Sequence, residues 1–152
     1  MDKISQHVTW YEGVHSETAT RKNIKNIPNY TELANMKLVA NKIFEPVRNH
    51  FGCPIAITSF FRCQKLNTVL GGSRTSQHKI GQAIDMNGNR LGKVTNSEIF
   101  NYILDNLDFD QLIWEYGTDK EPDWVHVSYK QKGNRNKVLK AVRGKGYITY
   151  KR

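Results

Sequence analysis

Apolar residues recur at three- and four-residue intervals through residues 29–52, where Leu33, Met36, Ala40, Ile43, Phe44 and Val47 fall on one face of a helix. Asn29 with Glu32 three residues on has the form of a capping box. Pro46 has no N–H to donate and is expected to kink or end the helix. The pattern then changes. CPIAITSFF (53–61) is rich in β-branched and aromatic residues and predicts a buried strand, and CQKLNTVL (63–70) predicts a short helix stopped by Gly71 and Gly72. QAIDM (82–86), DQLIWEY (110–116) and WVHVSY (124–129) predict three more strands. Thr95 and Glu98 form a second capping box ahead of the helix NSEIFNYILDNL (96–107). RNKVLKAV (135–142) reads as a last helix and GYITY (146–150) as a terminal strand.

This order lacks the regular βαβ alternation of a doubly wound sheet and argues for an α+β fold, a single domain with an antiparallel sheet flanked by helices. Residues 1–28 are polar and irregular with a few apolar anchors, and are expected to lie as an arm over the core. No internal repeat, low-complexity block or linker divides the chain, and 152 residues can bury one core without disulfides. No apolar run approaches the roughly 20 residues needed to cross a bilayer, and the first residues lack the charged and apolar regions of a secretory signal. The expectation is therefore a protein made in the cytoplasm, without membrane insertion. Cys53 and Cys63, ten residues apart, fit neither a CxxC pair nor a zinc ribbon and read as buried free thiols. A formal net charge of +9 draws the chain to polyanions, among them nucleic acids, anionic lipids and anionic wall polymers, without choosing between them.

Candidate chemistry concentrates in SRTSQHKIGQAIDMNG (73–88). His78 stands seven positions before Asp85, with Gly81 and Ala83 between them and Ser76 just ahead. The stretch is either a turn leading into an ordinary strand or half of a metal site, since a catalytic zinc takes three protein ligands and leaves a fourth position for water. His7 and His15 lie in the arm and His50 closes a helix, so all three read as surface residues. His126 sits at the centre of an apolar strand, where alternation puts Trp124, His126 and Ser128 on one face. It is either a core histidine with a hydrogen-bond partner or the third ligand. Asp123 would face the opposite side on a regular strand. To serve as a carboxylate base it would have to bend back at the turn after Pro122; otherwise it is a turn residue.

Together these residues resemble a known family. SQHKIGQAID followed by DWVH is similar to the SxHxxGxAxD and (D/E)xxH signatures of the zinc D-Ala-D-Ala carboxypeptidases and L-alanyl-D-glutamate endopeptidases, a group that shares its fold with hedgehog signalling domains. Arg62, sixteen residues before His78, stands where that family carries an arginine, and the N-terminal segment resembles small phage and prophage members. The resemblance implies one Zn²⁺ per chain held by His78, Asp85 and His126, with Asp123 as general base and Arg62 holding the substrate and its developing oxyanion. Ser76 and Trp124 are expected against the substrate; a turn-forming serine and a core tryptophan are the alternatives. Glu115, in LIWEY, reads as a partner behind the ligands, an edge-strand residue or part of the cleft wall. The implied substrate is the peptidoglycan stem peptide, trimmed by a D-Ala-D-Ala carboxypeptidase or opened by an endopeptidase. The implied setting is a monomeric phage endolysin released by a holin-type partner to act on the cell wall. Two other classes stand beside it: a zinc-containing binding module of the same fold without turnover, and a polyanion-binding protein using the basic residues 130–152. Nucleic acid is not the expected partner.

Overall fold

The computed structural model describes residues 3–152. The arm is less irregular than its sequence suggests. Strands β1 (Lys3–Ser5) and β2 (Val8–Thr9) form a small hairpin, followed by two five-residue helices, α1 (Trp10–Val14) and α2 (Glu17–Arg21). Buried Asn26 fastens this arm to the body: its Nδ2 donates to the carbonyls of Val14 and Phe61, and its Oδ1 accepts the Cys63 N–H at 2.7 Å. The arm thereby braces the segment that carries Arg62.

Helix α3 (Tyr30–Val39) begins at the Asn29–Glu32 capping box and continues through a π-turn (Ala40–Phe44) into α4 (Glu45–Phe51). Pro46 neither ends nor interrupts this run. The ladder widens just before it, with the Glu45 N–H reaching back five residues to the Ala40 carbonyl, and the helix ends instead at Gly52 with φ 65°. Helices α5 (Gln64–Val69) and α6 (Asn96–Asn106) stand where the sequence predicts them, the second behind its Thr95–Glu98 capping box.

The remaining strands are β3 (Ala56–Ser59), β4 (Ala83–Asn87), β5 (Gln111–Glu115), β6 (Trp124–Ser128), β7 (Lys137–Val142) and β8 (Gly146–Thr149). They form one sheet in the order β3-β4-β6-β5-β7-β8, antiparallel throughout except that β7 runs parallel to β5. The α+β architecture stands, but the sheet is mixed, and the helix expected over 135–142 is strand β7. Its apolar residues fit a helical interval equally well; pairing with β5 on one side and β8 on the other decides the matter. No helix among the described residues is long and apolar enough to cross a membrane.

One face of the sheet closes the core. Ile84, Met86, Leu112, Trp114, Val125 and Val127 are buried there, packed with Ile43, Phe44 and Val47 of the first long helix and Ile99, Phe100 and Ile103 of α6. Strand alternation sends the intervening residues to the other face.

Candidate active site

On that other face Asp85 of β4 stands directly opposite His126 of β6, and Ile113 of β5 opposite His126 on its far side. His78 arrives from a 3-10 turn (Gln77–Ile80) whose first N–H groups are capped by the Ser76 hydroxyl, which accepts from the His78 N–H at 3.3 Å. Gly81 ends that turn at φ 77°. A Cβ there would lie 2.4 Å from the Glu32 carbonyl oxygen, so only glycine lets the turn press against α3. His78, Asp85 and His126 thus come together, one ligand atom of each lying within 4.8 Å of the others.

The protonation of this trio suits a cation. His78 Nδ1 donates to the Phe60 carbonyl at 2.6 Å, which leaves Nε2 of the neutral ring bare and 3.2 Å from Asp85 Oδ1. Burial pushes the His78 pKa down although Asp85 opposes it. Burial would raise Asp85, but its contacts with His78 and His126 overcome that and hold the carboxyl well below the usual carboxylate range. With Nδ1 committed to the Phe60 carbonyl, the Nε2 lone pair of a neutral His78 ring and the Asp85 carboxylate face the same space. A bound dication satisfies both. His126 adds its Nδ1 at 2.9 Å from the same Asp85 oxygen. Two imidazoles and one carboxylate form a donor set that suits zinc.

The trio lies in a cleft of about 520 Å³. Arg62, Ser76 and Trp124 line it, Trp124 leaning on Tyr116 at 5.5 Å between ring centres. Arg62 is anchored through its backbone N–H, which donates to the His78 carbonyl at 3.1 Å, while its buried Nε has no hydrogen-bond partner among the described residues. Burial lowers its pKa against the pull of Asp85 and Glu115, yet a guanidinium stays charged. It is a cation with donors to spare, aimed at the same space as the ligands.

Asp123 is not part of this space. It precedes the first residue of β6 and is absent from the cleft lining. The Asp123 side chain is half exposed and lies 3.9 Å from Arg143 Nη2. The carboxylate that does reach the cleft is Glu115, paired across the sheet with Trp124 and therefore on the face that carries His126. It is only 5% exposed, and burial, reinforced by the Asp85 charge and opposed by His126 and Arg62, raises its pKa to about 7. Sequence parity marks this residue, because Gln111, Ile113 and Glu115 alternate with the core residues Leu112 and Trp114; choosing it over Asp123 requires the β5–β6 register. Asn96, also unflagged in the sequence, is fully buried and holds the approach to β6, its Nδ2 donating to the carbonyls of Pro122 and Asp123. The two cysteines are free, as expected, but half-buried where buried thiols were expected.

A family model described as Peptidase M15 matches residues 6–128. The chain belongs to the M15 peptidases. No curated protein matches it. As an M15 peptidase it is a hydrolase of the metallopeptidase kind, and every cleft residue described above lies inside the matched stretch. The match stops at the last residue of β6, so that β7 and β8 lie beyond it.

Proposed function

We propose that this chain is a zinc peptidase that hydrolyses an amide bond within peptidoglycan stem peptides. The observation that carries the reading is the His78–Asp85–His126 trio in one cleft with a cation, Arg62, and a buried carboxyl, Glu115. Zinc held by the trio would supply a Lewis acid that polarises the amide carbonyl and acidifies water. Glu115 takes the proton of the attacking water and later returns it to the leaving amine, a role that suits a buried carboxyl lining the cleft that holds the trio. Arg62 donates to the carbonyl oxygen as negative charge builds on it. His78 is held in its ligating tautomer by the Phe60 carbonyl, and Ser76 keeps its turn in place. Trp124 supplies an apolar wall for the peptide.

Of the two stem-peptide activities, the cleft favours the endopeptidase. A second cavity of about 550 Å³, walled by Tyr11, His15 and Glu17 of the arm, shares Arg62, Leu70 and Asp85 with the first. Substrate can therefore extend to both sides of the trio, which an enzyme removing a single terminal residue does not require.

Mass spectrometry of fragments released from purified peptidoglycan by the zinc-loaded protein, beside the Glu115→Gln variant, tests this. An internal cut such as that between L-Ala and the D-glutamyl residue, abolished by chelator and by Glu115→Gln, is the expected result. Release of terminal D-Ala alone would replace the endopeptidase reading by a carboxypeptidase. Unchanged fragments with zinc bound would remove the peptidase reading on this substrate.

A further inference from the structure

Residues 130–152 hold nine Lys and Arg and neither Asp nor Glu, which leaves fourteen basic and fourteen acidic residues in the first 129. The whole formal net charge of +9 therefore belongs to the loop after β6, the β7–β8 hairpin and the three residues that follow it, while the part that carries the chemistry is neutral. The family match also ends before this segment.

Five of the nine cations are paired with carboxylates of the body. Arg135 and Lys130 pair with buried Asp110, Lys140 with Asp119, Arg143 with Asp123 and Arg152 with Asp105. The other four, Lys132, Lys137, Lys145 and Lys151, are exposed and form no ion pair with any described residue. Guarding the open edge of the sheet at β8 accounts at most for Lys145 and Lys151, which flank that strand; Lys132 and Lys137 lie away from it. The segment is also continuous with the cleft. Leu139 of β7 and Tyr147 of β8 line it, and Lys137 stands opposite Gln111, another lining residue.

We propose that residues 130–152 form a docking surface for peptidoglycan itself, Lys132, Lys137, Lys145 and Lys151 engaging carboxylates of stem peptides neighbouring the one in the cleft. The identity of the polymer rests on the function proposed above; continuity with the cleft makes the docked and the cut polymer the same. Exposed lysines act here as a field over several carboxylates, so attachment is sensitive to salt.

Co-sedimentation with purified peptidoglycan stripped of phosphate polymers, in a Glu115→Gln background that leaves the polymer intact, tests the surface. Changing Lys132, Lys137, Lys145 and Lys151 together to Gln is expected to weaken binding at 50 mM salt at least tenfold and to flatten its salt dependence. In the otherwise unaltered enzyme the same four changes should leave kcat/KM on a soluble stem peptide within threefold. Equal binding of the two proteins at every salt concentration overturns the proposal, as does binding that requires the phosphate polymers or that occurs to DNA but not to peptidoglycan. Lysine-dependent binding by a protein that cleaves no stem peptide would leave the surface standing and remove the peptidase. Cleavage with lysine-independent binding would do the reverse.

Discussion

The two faces of the central sheet are made by the same strands, residue by alternate residue, yet they obey opposite rules. On one face Leu112, Trp114, Val125 and Val127 are buried against helices and contribute stability through apolar area. On the other, Asp85 and Glu115 are buried and His126 is partly buried where they line the cleft beside His78 and Arg62. Burial there costs free energy, because each charge is partly stripped of solvent. A single-residue slip in register would exchange the two sets, so the apolar face also fixes which residues reach the cleft.

The sharpest way to divide the faces is by activity. Glu115→Gln keeps the shape of the side chain but cannot take a proton, and is expected to lower kcat about 10³-fold with zinc still bound. Metal content by atomic absorption and kcat on a soluble stem peptide measure the two separately. Loss of zinc together with activity would make Glu115 a supporter of the ligands instead of the base.

Leu112→Ala strikes the other face. Leu112 is fully buried in the core, and its truncation should cost about 3 kcal/mol of folding stability, read from urea unfolding. Under conditions where the variant is folded, kcat should stay within threefold of the parent. A large kcat loss in the folded variant would mean that the faces are coupled through the strand.

Much of this division is legible in the sequence, and the reasons are local. The candidate metal ligands His78 and Asp85 lie within eight residues of one another, and the capping boxes of α3 and α6 each span four. His126 stands out by parity within one strand. What escapes is decided across strands. RNKVLKAV carries no local mark of a parallel strand and becomes one because β5 and β8 flank it. Glu115 is selected as the cleft carboxyl by its register with Trp124, and the clamp of Arg135 on Asp110 joins residues 25 positions apart.

Glu115→Gln should also expose the cost of the chemical face in the metal-free protein. The folded-state pKa is raised from 4.5 to about 7, so between those values the folded chain binds more protons than the unfolded one and stability falls as pH rises. The glutamine variant does not suffer this loss. It should match the parent at pH 4 and exceed it at pH 8 by on the order of 3 kcal/mol, measured by urea unfolding in chelator. An equal difference at both pH values would trace the gain to packing instead of ionisation.

Asp123→Asn should have the smallest effect, although this aspartate is three residues from the candidate ligand His126 and Glu115 is eleven. Chain distance favours Asp123; the pleat favours Glu115. The Asp123 carboxylate is half exposed, and its Arg143 partner at 3.9 Å is still more open to solvent, an arrangement that contributes little to stability. Its backbone N–H, which donates to the Glu115 carbonyl at 2.9 Å, is untouched by the substitution. The variant is therefore expected to retain kcat within threefold and an unchanged unfolding midpoint. A loss approaching that of Glu115→Gln, with zinc retained, would mean that the segment before β6 turns inward when substrate binds and that Asp123 supplies the base.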